Sequence, residues 1–280
     1  MESTKVNFLS GSLSKNIFLF SVPLMFSNIL QILFNTVDIA VIGHFAGSLA
    51  LGAVGSTPML LFLYTGMLLG ISLGVNAIIA YYIGAKNSKE ILDSVHSAFI
   101  VCLSFGIALM LLGIFSARPV LTLMNTKPEL IDNAVLYFQI YMLGLPGISL
   151  YNFGSGILNA TGDTKRPLFF LLIAGTVNIV LDLFFVAVLH FDCAGVAFAS
   201  AVAQIVSAVL ILIPLFNGTN GIKISLAKLK PNKQKIIQIL KIGFPAGLQN
   251  AIFAIANVFI QTGINSFDAI TVAGISAAGN

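Results

Sequence analysis

Apolar residues in this chain come in long runs, separated by short polar segments that hold nearly all of the charge. A bilayer core of about 30 Å takes around 20 helical residues to cross. The runs predict seven complete spans, Ile17–Ile42, Leu49–Ile83, Ile91–Ala117, Leu130–Leu158, Pro167–Leu189, Cys193–Phe216 and Ile236–Ile264, with a partial eighth from Ile270 onward. At 1.5 Å per residue the second run would reach about 52 Å, so it is expected to tilt steeply or project beyond the lipid. Pro23, Pro58, Pro146–Gly147 and Pro245 interrupt the runs. Such breaks are tolerated where neighbouring helices satisfy the freed backbone groups.

Composition agrees with that pattern. The 280 residues are 58% hydrophobic and 9% charged, against about 25% charged in soluble domains. The net charge of +4 does not mark a nucleic-acid binder, because Lys and Arg lie in the short segments between apolar runs. Lys5, Lys15, Lys86, Lys89, Lys165, Arg166, Lys223, Lys228, Lys230, Lys233, Lys235 and Lys241 all fall on one side if the N-terminus is cytoplasmic, and only Arg118 and Lys127 fall opposite. Basic residues collect on the cytoplasmic side. The expectation is a multi-pass protein of the cell membrane with its N-terminus inside. The first run exceeds 20 residues and no small-residue cleavage site follows it, so no cleavable signal peptide is expected. Cys102 and Cys193 match neither a disulfide framework nor a CxxC metal pair, and read as free thiols.

Two carboxylates stand out. Asp182 lies four residues after Asn178 in the fifth run, and Asp38 lies three after Asn35 near the outer end of the first. An ionised Asp at the bilayer centre costs roughly 2.5–3.5 kcal/mol even on the insertion scale, and intramembrane acids usually mark an ion or substrate path. Both spans run outward in this topology, so two parallel helices could bring the acids together in the outer half of the membrane. Asn178 and Asp182 share one helix face. Such a site could hold either a proton or a cation and so exchange them. The competing reading is interhelical hydrogen bonding that only holds helices together. Gln31, Asn35 and Gln204 are accessory candidates for the same cluster.

An internal repeat organises the chain. An offset of 222 residues pairs Pro23 with Pro245, Asn28 with Asn250, Asn35 with Asn257, Phe45 with Phe267 and Gly52 with Gly274. Six spans per unit return the chain to its starting side, so the copies would be parallel. A complete protein would then have about 445 residues, twice that offset. The expected organisation is a six-helix N-terminal lobe over 1–216, a cytoplasmic inter-lobe linker over 217–235, and the start of a C-terminal lobe over 236–280. As a fragment of this kind, a lone lobe would lack the opposite wall of a cleft and is not expected to transport by itself.

With these features in view, the chain resembles the multidrug and toxic compound extrusion (MATE) family. The matching stretches are PLMFSNILQILFNTVDIAVIGHFAG (23–47), GILNATGDTKRP (156–167), NIVLDLFF (178–185), GVAFASAVAQ (195–204) and KIGFPAGLQN (241–250). The resemblance implies an all-α integral membrane protein of twelve helices in two six-helix lobes, of which this chain covers the N-lobe, helix seven and part of helix eight. It implies a secondary antiporter, monomeric when complete, that exports cationic amphipathic drugs in exchange for H⁺ or Na⁺. Asp38, Asn178 and Asp182 would form the cation site, with Na⁺ a candidate ion for it and Ser200 standing where Thr is frequent in the family.

Other readings are weaker. A flippase for lipid-linked saccharides is the alternative function, but it favours a cationic cavity, and intramembrane Lys or Arg is nearly absent. An enzyme would need a nucleophile–base pair or metal-ligand cluster at membrane depth, and no such motif, cofactor signature or paired cysteine occurs. His96 and His190, near helix ends, are expected to be solvated or locally bonded, and His44 is a weak candidate pH sensor. The sequons at Asn159 and Asn217 fall on the cytoplasmic side, where they are not used. The GILNATGDT glycines follow no strand, which excludes a phosphate loop.

Overall fold

A computed structural model describes residues 12–218, 221–225, 229–268, 271–272 and 274–275. Lys5, Lys228, Thr219 of the second sequon and Ile270 at the start of the partial eighth span lie outside the described residues. The described chain is helical throughout its regular structure: α1 (Leu13–Phe45), α2 (Gly47–Gly55), α3 (Pro58–Gly84), α4 (Ser88–Leu123), α5 (Pro128–Leu143), α6 (Leu145–Ala160), α7 (Lys165–Asp182), a π-helical continuation over Leu183–Val188, α8 (Asp192–Phe216) and α9 (Lys233–Ile264). Six helices or helix pairs are long and apolar enough to cross a membrane, and α5 with α6 makes a seventh bent by 42°.

Two runs break beside the prolines that interrupt them, Pro58 and Pro146. The second run qualifies by length and composition as one 38-residue span, Gly47–Gly84, with a short internal break. It divides at Ser56–Thr57 into α2 and α3, because both hydroxyls turn back onto the preceding backbone: Ser56 Oγ donates to the Gly52 carbonyl at 2.8 Å and Thr57 Oγ1 to that of Val54 at 2.8 Å. Pro58 then opens α3, at a position where its missing N–H costs nothing. The fourth run breaks at Gly144, just ahead of Pro146.

The bundle core is built from α3, α4, α5, α6 and α8, with Phe138 and Phe153 among its largest fully buried side chains. α9 packs chiefly along α3, and glycines set that distance: a Cβ on Gly70 would lie 2.1 Å from the Gly247 nitrogen, and one on Gly74 2.5 Å from the Ile239 carbonyl oxygen. Close backbone approach of this kind is how membrane helices gain dispersion energy in lipid.

The described part of the 217–235 segment is tucked against the bundle. Ile222 and Ile224 are buried. The Ser225 N–H donates to His96 Nε2 at 3.4 Å, and the Asn232 N–H to Ser97 Oγ at 3.0 Å. His96 is therefore bonded to this segment and not solvated. Lys235 belongs to the first turn of α9. It is buried, ion-paired with Glu90 and bonded to the Tyr82 hydroxyl. Cys102 and Cys193 are free and buried.

Candidate functional site

α1, α7 and α8 meet at the acids. Asp38 on α1 is 7% exposed, Asn178 and Asp182 on α7 are 5% and 0% exposed, and Ser200 on α8 is 7% exposed. Ser200 Oγ donates to Asp38 Oδ2 at 3.4 Å. The Asp38 and Asp182 carboxylates face each other within hydrogen-bonding reach. As two ionised groups they offer each other only lone pairs, whereas a proton between them turns one oxygen into a donor. Among the described residues no other donor meets Asp38 Oδ1 or either oxygen of Asp182, and Asn178 Nδ2 is also without a partner. Buried polar atoms are nearly always bonded, so several unmatched ones side by side mark a place prepared for something positive.

The α-helical ladder of α7 ends at Asp182, and the next six residues form a π-helix, with the Leu189 N–H reaching the Phe184 carbonyl at 3.1 Å. π-turns of this kind recur at functional sites. Tyr137 packs behind the acids in a buried cluster with Val41, Ile42, Val186 and Cys193.

Asp38 opens onto a cavity of about 330 Å³ bounded by α1, α3, α5, α6, α7 and α8. Its polar wall includes Gln31, Asn35, Asn152, Asn178, Ser200 and Gln204, and its aromatic wall Phe34, Phe62, Tyr141 and Tyr151. Asp38 is the one charged residue among the lining groups, and no Lys or Arg is among them. Asp182 does not line the cavity and is reached through Asp38. The residues proposed from sequence for the cation site and its accessories therefore converge, either in the acid cluster or on the cavity wall. Sequence reasoning missed Tyr137 and Tyr141. Their i, i+4 spacing in the fourth run was a visible signal, but nothing in the pattern told which face of that span meets the acids.

His44 lies away from this cluster, edge-on to Phe45 at 4.7 Å between ring centroids. His190 is exposed at the α7–α8 turn with φ 56°.

Known proteins resemble this chain in sequence and fold. The MatE family model matches residues 23–184, a stretch that includes Asp38, Asn178 and Asp182. The probable multidrug resistance protein YpnP of Bacillus subtilis is 29% identical over 273 residues, 97% of this chain and 60% of that protein. The chain thus spans about 60% of the length of this curated relative. Among solved structures, the inward-facing form of a multidrug resistance MATE family transporter superposes with a TM-score of 0.81 at 25% identity, covering 93% of this chain and 60% of that one. An outward-facing form gives 0.83 at 25% identity, covering 99% and 64%.

Proposed function

The chain belongs to the MatE family of multidrug transporters, and from that membership we propose that it works in export of cationic, amphipathic compounds by exchange for H⁺ or Na⁺ at Asp38, Asn178, Asp182 and Ser200. One observation carries this reading: two buried carboxylates, with no other donor on three of their oxygens, open through Asp38 onto a cavity with no Lys or Arg in its wall.

Two negative charges this close in a poorly screened setting repel strongly. The pair is therefore neutralised in part by a proton held between the carboxylates or by a small cation. Na⁺, a hard cation that takes oxygen ligands as Ca²⁺ and Mg²⁺ do, would find Asp38 Oδ1, both oxygens of Asp182 and Ser200 Oγ. An organic cation entering the cavity meets Asp38 first. Its charge competes with the proton or Na⁺ for the same carboxylates, and mutually exclusive occupancy of one site is what couples the two fluxes. The aromatic wall supplies apolar and cation–π contact to the cargo. A lipid-linked pyrophosphate would instead meet a carboxylate and no base. The protein sits in the cell membrane with its N-terminus inside, following the distribution of basic residues.

The test is ethidium efflux from proteoliposomes that hold the complete two-lobe protein, under an imposed proton or sodium gradient. Asp182→Asn is expected to abolish gradient-driven efflux without lowering the amount of folded protein. Wild-type efflux from that variant would remove Asp182 from the mechanism.

A further inference from the structure

α1 touches the bundle sparingly. Of its 33 residues, the buried ones are Pro23, Asp38, Val41 and Ile42, so most of the helix is not gripped by its neighbours. Yet the Asp38 carboxylate has to meet that of Asp182 to within hydrogen-bonding reach. Something must set the height and rotation of α1 against α7.

The contact one turn below Asp38 does this. The Phe34 ring is inserted in a notch on α7 that exists because residue 175 has no side chain: a Cβ on Gly175 would lie 1.9 Å from Phe34 Cζ, 2.0 Å from Cε2 and 2.5 Å from Cδ2. Three atoms of a rigid ring share the space, so no terminal rotation of a flexible chain could make room for a methyl group. The helices run parallel, and the spacing from this seat matches the site above it. Four residues on from Phe34, about 6 Å at helical rise, stands Asp38; three and seven on from Gly175, about 4.5 and 10.5 Å, stand Asn178 and Asp182. Asp38 is thereby held at a level between the two polar groups of α7.

We propose that Phe34 and Gly175 are a positioning pair, the ring locking α1 onto α7 in the register that brings the Asp38 carboxylate to that of Asp182. This rests on the exchange role proposed above. Neither residue exchanges anything itself. Loss of the seat lets the acids separate, and the cavity then presents a displaced charge to its cargo.

Ethidium binding to the protein in lipid nanodiscs, followed by fluorescence, tests the pair. Gly175→Ala is expected to expel the ring and weaken binding about tenfold or more, since displacements near 1 Å are costly at such sites. Adding Phe34→Leu to Gly175→Ala makes room for the methyl group and should bring affinity to within about threefold of that of Phe34→Leu alone, which has lost the same aromatic contact with the cargo, the coupling expected of residues in direct contact. In an Asp38→Asn background, Gly175→Ala should add no further loss, because the group it positions is already gone.

Wild-type affinity in Gly175→Ala, no recovery with Phe34→Leu, or an equal loss in the Asp38→Asn background would each overturn the proposal; the last would mean that the methyl group simply crowds the cavity. Should Gly175→Ala not fold, the paired variant decides. A folded double variant that binds like Phe34→Leu alone supports the seat, and one that stays unfolded overturns it. Wild-type affinity in Asp38→Asn is a separate failure, which removes the exchange site itself and with it anything to be positioned.

Discussion

α1 and α9 stand at equivalent places in the internal repeat and are opposites in how they are held. They have 33 and 32 residues, each has an internal proline, and the 222-residue offset aligns them through Pro23 with Pro245 and Asn28 with Asn250. α9 buries Lys235, Ile239, Gly243, Gly247, Ala251 and Ala254, a stripe along nearly its whole length. It is bonded at its N-terminal end through Lys235, at mid-length by Asn250 Nδ2 to the Gly66 carbonyl at 3.1 Å, and at its C-terminal end by Asn265 Nδ2 to the Met124 carbonyl at 3.0 Å. α1 has no comparable stripe. The chemistry is distributed the other way: the offset pairs Asp38 with Ile260, which is 62% exposed. One copy is a strut without an acid, and the other holds the acid on a sparsely gripped helix. A charge that must change partners is better placed on an element whose movement disturbs little packing.

The contrast breaks most visibly at the α3–α9 seam. Gly70→Val would put a branched side chain where even a Cβ meets the Gly247 backbone at 2.1 Å. Backbone cannot step aside as a side-chain tip can, so a loss of about 3 kcal/mol is expected, the upper end of overpacking costs. Thermal unfolding in detergent reads it. Ile32→Val, an exposed change on α1, should shift the same transition hardly at all.

A smaller effect is expected at the N-terminal clamp. Lys235→Met leaves the Glu90 carboxylate without its cation and Tyr82 without its donor. The lysine side chain is 4% exposed and that of Glu90 33%. Because water still reaches Glu90, the cost should fall well below that of a fully buried pair, at about 1–2 kcal/mol. Glu90→Gln added to Lys235→Met should recover part of it. At the C-terminal end, Asn265→Ala removes the bond to Met124 and also frees Gln261, whose Nε2 donates to Asn265 Oδ1 at 3.0 Å. A loss of about 1 kcal/mol is expected there. If these changes cost nothing while changes along α1 cost much, the assignment of strut and mobile helix is reversed.

Most of this arrangement was legible in the sequence, and for physical reasons. Spans show because lipid demands unbroken apolar length, and Asp38 and Asp182 show because a carboxylate is so expensive there that its presence is informative. Parallel direction followed from counting basic residues, and that placed the acids at similar depth. The seam and the seat did not show. Gly66, Gly70 and Gly74 are spaced for a helix contact, but glycine is common in membrane helices and spacing names no partner. Gly175 looks like any other glycine until Phe34 is seen in its notch. Pro58 marked the break at Ser56–Thr57, whereas the π-turn after Asp182 has no composition of its own.

The smallest stability effect should come from the residue of greatest chemical interest. Asp38→Asn keeps the size of the side chain and the acceptor for Ser200 Oγ, and its amide can donate to Asp182, so one unmatched oxygen there gains a partner. It also removes one of two facing carboxylates. These gains offset whatever the native proton or cation contributes, and unfolding should stay within about 1 kcal/mol of wild type, the ordinary range for a change that leaves packing intact. Ethidium binding should nevertheless weaken strongly, because the cavity loses the one formal charge in its wall. A loss of stability comparable to that of Gly70→Val would instead mean that the acid pair holds α1 to the bundle. In that case Asp38 is interhelical glue, and the distinction between a helix that braces and a helix that exchanges no longer stands.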